Sequence, residues 1–147
     1  MYFIKIMTAI VLVAAISACG SQEGDYKAER QKVIEYHDIV MADHGKVVGN
    51  QRKIQALLSD LKSLKASHPM LDTIKEKDSM DLILQHLLDA EESMNDWMHE
   101  FQADITGKSN AEAIRYFQAE QRKVAKIDSL FKMHLKNSDA YLSRFGK

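Results

Sequence analysis

Three side chains able to donate lone pairs, His37, Met41 and His44, are spaced i, i+4 and i+7, which puts them on one side of a helix. Met94 and Met98 are likewise one turn apart, and His99 follows them. Imidazole nitrogen with thioether sulfur suits copper, and Asp38, Asp43 or Asp96 could complete a harder site for other divalent ions. The same pattern has a purely structural use. Methionines at helical spacing fill cores, and histidines beside an apolar stripe sit at its boundary; His86 and His134 read that way, and His68 reads as a turn residue. Neither a His-Glu-x-x-His nor a Glu-x-x-His pattern is present. A Gly-rich phosphate loop and a Gly-x-Ser-x-Gly elbow are also lacking. The adjacent Glu91 and Glu92 lie in an acidic stretch expected to face water. The chain is therefore expected to be non-enzymatic, with no resident cofactor unless the His/Met set holds copper or a related metal.

The elements that must position these residues are helical. Beyond Gly24 the chain has a single proline, Pro69, and is rich in Ala, Leu, Glu, Lys, Gln and Met, which lose least on entering a helix. Three segments are expected. The first runs from about residue 28 to 67 and closes before Pro69. The second runs from about 71 to 105 and stops at Thr106-Gly107-Lys108, where glycine can turn left-handed. The third opens on Ser109-Asn110-Ala111-Glu112, which has capping-box spacing, and continues to about 144. Val33, Val40, Val47, Ile54, Leu58 and Leu61 mark the apolar face of the first helix. Ile83, Leu87, Ala90, Met94, Trp97, Phe101 and Ile105 mark the second, and Phe117, Val124, Ile127, Phe131, Tyr141 and Phe145 the third. Short connections and heptad-like spacing predict an all-α fold: an antiparallel, up-down-up three-helix bundle with coiled-coil-like packing. A hairpin about Pro69 would bring His37, Met41 and His44 to the level of Gln102, Met98 and Asn95.

The N-terminal region has a different composition. Lys5 precedes an apolar run from Ile6 to Ala18, too short for the roughly 20 residues that a membrane-spanning helix needs. The chain's single cysteine follows in Ile16-Ser17-Ala18-Cys19-Gly20. This spacing resembles the lipobox of bacterial lipoproteins, which implies cleavage before Cys19 and acylation of its thiol. The organisation expected is a signal peptide over 1–18, the lipidated Cys19 with a polar tether over 19–27, and a helical bundle over 28–147. With the thiol acylated, no disulfide remains to stabilise the domain, and its roughly 130 residues must be held by packing. Gly20 is not the aspartate that retains enteric lipoproteins in the inner membrane, so the outer membrane is the expected address.

Charge is divided between segments although the total is −1. From Asp78 to Gly107 there is no Lys or Arg, whereas the third segment carries Arg115, Arg122, Lys123, Lys126, Lys132, Lys136 and Arg144 with few acids. Opposite charge is expected to help the second and third helices pair; alternatively, the basic face meets anionic headgroups. Nucleic acid is not an expected partner.

The segments His37-Asp38-Ile39-Val40-Met41, Met94-Asn95-Asp96-Trp97-Met98-His99-Glu100-Phe101 and Tyr116-Phe117-Gln118-Ala119-Glu120-Gln121-Arg122-Lys123-Val124 resemble a family of small Bacteroidota lipoproteins. Its members are often labelled viral A-type inclusion protein, a label that reflects coiled-coil similarity. The resemblance implies a helical, lipid-anchored envelope protein and supplies no activity. Where such sequences tend to read Met-Pro-x-Met, this chain has Met41-Ala42-Asp43-His44, which removes a proline kink and replaces the second methionine by histidine. Two functions are thus expected as alternatives. One is a membrane-tethered interaction or scaffold bundle with an envelope protein partner. The other is a metal-binding or metal-sensing module built on His37, Met41, His44, Met94, Met98 and His99.

Overall fold

A computed structural model describes residues 24–146, which form an all-α bundle. Helix α1 is Tyr26–Ser59, α2 Leu61–Ser67, α3 Thr73–Glu100 and α4 Asn110–Ser143, and no strand occurs among the described residues. The expected signal peptide, the lipidation site Cys19 and the tether as far as 23 lie outside the described residues. None of the described helices is long and apolar enough to cross a membrane.

Capping side chains set most of the helix boundaries. Asp25, Asp72 and Ser109 each accept a hydrogen bond from a backbone N–H of the first turn, satisfying donors that the helix itself leaves free. At Ser109 the expected capping box is complete, since the Glu112 carboxylate in turn accepts from the Ser109 N–H at 2.8 Å. Asp60 overturns the expectation of one continuous helix to residue 67. Its carboxylate accepts from the Ser63 N–H at 3.0 Å and its backbone leaves the helical region, at φ −137° and ψ 59°. An aspartate competes with helical backbone bonding in this way, so α1 ends and a two-turn α2 begins.

The second expected helix is also shorter, ending at Glu100 rather than Ile105. Phe101 adopts extended backbone and its ring stacks on Trp97, with centroids 5.1 Å apart, and on Tyr116 at 6.3 Å. The released Gln102 N–H donates to the Tyr116 hydroxyl at 2.7 Å. Aromatic burial thus outweighs another helical turn. Gly107 then takes the expected left-handed conformation at φ 87°.

The core is a set of seven-residue series. Val33, Val40, Val47 and Ile54 on α1, Met80, Leu87 and Met94 on α3, and Phe117, Val124 and Phe131 on α4 are all fully buried. Ser138 continues the α4 series as a buried polar residue, and its hydroxyl accepts from Asn50 Nδ2 at 2.8 Å. Neighbouring Gln51 turns to the other helix, donating through Nε2 to the Leu87 carbonyl at 3.3 Å and to Glu91 at 2.8 Å. Two adjacent side chains therefore tie α1 to both long neighbours. A sliding or rotated helix would leave them unpaired in the core, which penalises wrong registers. Contacts of α1 with α4 are the most extensive, followed by α3 with α4 and α1 with α3.

Further ties join the ends. Asn110 accepts from the Tyr26 N–H at 3.4 Å and donates to the Gly24 carbonyl at 3.0 Å. At the opposite end Tyr141 and Arg144 both donate to the Glu76 carboxylate, each at 2.6 Å. Glu76–Arg144 is the one Lys/Arg–carboxylate pair among the described residues that joins two long helices; the others are local, such as Lys77–Asp81 and Lys132–Asp128. The expected pairing of an acidic second helix with a basic third is therefore not built from a ladder of ion pairs.

Candidate functional site

A groove of about 330 Å³ lies between α1 and α3, lined by Val33, Ile34, His37, Asp38, Trp97, Met98 and Phe101. Its position follows from the core pattern. Val33 is in the buried series of α1, and the next residues on the same turn, Ile34 and His37, come to the edge of the contact with α3. On α3, Trp97 follows Met94 by one turn, is 5 % exposed and lines the groove.

Trp97 is fixed from behind. Its indole N–H donates to Glu120 of α4 at 2.9 Å, and Glu120, 4 % exposed, also pairs with Lys123 at 2.9 Å. A buried carboxylate with both oxygens engaged is a rigid acceptor. The His37 ring stands 6.1 Å from Trp97, and its Nδ1 bonds the Asp38 carboxylate at 2.9 Å. That bond makes Nδ1 the donor and turns Nε2 away from Asp38. Chemically the groove offers an aromatic and aliphatic floor, one thioether and one carboxylate at the rim. It suits an apolar side chain carried by a partner with a cationic neighbour.

The six residues of the expected metal set are divided. His37 and Met98 share the groove, and Met98 is 38 % exposed. Met41 is exposed outside the lining. His44 is turned to α3, where its Nε2 meets Glu91 at 3.1 Å, one turn before the expected Asn95. Met94 is fully buried in the core and His99 is exposed, so those two cannot serve one site with His37. Among the described residues, no three or more His, Cys, Asp or Glu are grouped to hold a metal ion. Only His37 and Met98 of the six are thus brought to one groove. His44 meets Glu91 one turn before the level of Asn95, and heptad packing takes Met94 as a core filler.

Some polar residues of this architecture were not anticipated. Glu120, Asn50 and Gln51 occupy positions next to or within apolar stripes, three or four residues from Phe117 and Val47, and a polar residue at such a position is the one sequence signal available. His86 and His134, expected at core boundaries, are both half-buried and in contact, with ring centroids 4.9 Å apart across the α3–α4 seam. Burial, with the neighbouring His86 adding to it, holds the His134 imidazole below its ordinary pKa. His68 caps α2 as a turn residue and packs edge-on against Phe145 at 5.4 Å.

No family model matches the chain, and no curated protein or solved structure does either.

Proposed function

We propose that this chain is a non-enzymatic lipoprotein of the bacterial envelope, anchored through an acyl group on Cys19, whose bundle docks a partner protein in the α1–α3 groove. The groove itself carries this reading, because Trp97 and Met98 present apolar surface at its edge while Glu120 holds the indole from behind. Exposed Met41 and Ile39 on α1 add apolar surface on the same helix. The partner element that fits is an amphipathic helix. Its apolar face would enter the groove and a Lys or Arg on its flank would meet Asp38, beside an α3 that has no Lys or Arg from Asp78 to Glu100.

The long helices take the up-down-up three-helix arrangement in this reading. The pairings of Tyr26 with Asn110, His44 with Glu91 and Glu76 with Tyr141 support it, with α2 as a terminal extension of α1. Anchorage rests on the Ser17-Ala18-Cys19-Gly20 context, and the resemblance to small Bacteroidota lipoproteins points to the same compartment. The end of the bundle carrying Gly24 then faces the membrane, with the outer membrane the address favoured by Gly20.

Replacing Ile34 or Met98 by Glu tests the groove against Met133→Glu on the exposed surface of α4. After mild chemical crosslinking of intact cells, the wild type and Met133→Glu are expected to share one partner adduct, mapped by mass spectrometry to a basic amphipathic helix. Both groove variants should lose it. Retention of the adduct in the groove variants, or only self-adducts throughout, would contradict the reading.

A further inference from the structure

The contact between His86 and His134 is independent of the groove, since it lies on the α3–α4 seam. We propose that these two histidines bind one divalent transition-metal ion of the zinc or copper type, each ring giving one nitrogen and water filling the remaining positions. The separation of the rings is the first reason. Metal–nitrogen bonds of about 2.0–2.1 Å put each ring centroid about 3 Å from the ion, so a near-tetrahedral angle separates two centroids by about 5 Å. The rings stand 4.9 Å apart with a 31° angle between their planes.

The second reason is an unmet requirement. His134 Nδ1 is buried and has no hydrogen-bond partner among the described residues. Leaving a buried nitrogen unpaired is unfavourable, and an ion shared with His86 would satisfy it. A third is charge. The Asp89 carboxylate acts on His134 across the seam, and no Lys or Arg lies on α3 between residues 78 and 100 to oppose a cation. With two protein donors the site is open and exchangeable rather than a closed four-ligand structural centre. Binding there would clamp α3 to α4.

Calorimetric titration of the full chain, free of any histidine tag, with zinc chloride and separately with copper(II) sulfate at neutral pH tests this. One ion per chain is expected, with affinity reduced more than about tenfold in His86→Ala and in His134→Ala and unchanged in His37→Ala and His44→Ala. Copper(II) electron paramagnetic resonance should show coupling to two imidazole nitrogens in the wild type and one in either single variant. Circular dichroism of the metal-free variants checks folding, and the more accessible His86 site carries the test if His134→Ala unfolds. Absence of binding by the wild type would overturn the proposal, as would binding that survives substitution of His86.

Discussion

Removing the Glu120 carboxylate should uncouple the indole at the groove from the helix behind it. In Glu120→Ala the Trp97 N–H, which donates at 2.9 Å in a nearly dry environment, loses its acceptor. An orphaned buried donor costs about 1–3 kcal/mol. Loss of one buried methylene adds about 0.8 kcal/mol. The sum is a destabilisation of about 3 kcal/mol. Lys123 is released to water at little cost, since its side chain is already half exposed. Glu120→Gln keeps an acceptor and the chain length, so its cost should be about 1 kcal/mol. Urea unfolding by circular dichroism gives these differences, and the fluorescence of Trp97, the chain's one tryptophan, reports the local environment. A cycle with Trp97→Phe should show coupling of about 1–2 kcal/mol. Stability of Glu120→Ala within about 0.5 kcal/mol of the parent, with no coupling in the cycle, would refute the reasoning.

Two glycines should respond with opposite signs. Gly107→Ala forces a side chain into a left-handed backbone at φ 87° and should destabilise by about 1–2 kcal/mol, whereas Gly45→Ala, inside α1 with open space around the added carbon, should stabilise by up to about 1 kcal/mol; thermal melts of both variants check this. Burial raises the Glu76 carboxyl, but hydrogen bonds from Tyr141 and Arg144 outweigh it and leave the group below its ordinary value of 4.5. A depressed carboxylate contributes stability that is present above the unfolded value and lost as pH falls through the folded one. The parent melting temperature should therefore drop on acidification from about pH 4.5 downward, and Glu76→Gln should show a smaller drop. Metabolic labelling with a fatty-acid analogue should mark the wild type and not Cys19→Ser, which should also leave the membrane fraction; labelling that survives the substitution would remove the anchor from the account.

Regular features of this fold were legible because they rest on local chemistry. The seven-residue apolar series, the Ser109 capping box and the left-handed Gly107 each depend on residues close in sequence, and the structure reproduces them. Two boundaries departed from expectation for nonlocal or competing reasons. Asp60 resembles a solvent-facing helical residue until it is seen capping Ser63, and Phe101 leaves the helix because Tyr116 and Trp97 offer it an aromatic stack. The site was less legible. Spacing along one helix put His37, Met41 and His44 on a common side, but their alignment with Met94, Met98 and His99 depended on the relative shift of α1 and α3. The His44–Glu91 contact fixes part of that alignment, and it does not follow from periodicity. The same holds for Glu120 behind Trp97, a contact that exists only once α4 is packed.

Docking in the α1–α3 groove is decided most directly by what touches Met98 in the living cell. A photoreactive amino acid at Met98 in the full-length chain, irradiated in intact cells beside the same probe at Met133, is expected to give one discrete partner adduct from the groove position alone. Mapping of that adduct should return an amphipathic segment with a basic residue next to its apolar anchor. Equal adducts from both positions, or none from Met98, would contradict docking in the α1–α3 groove.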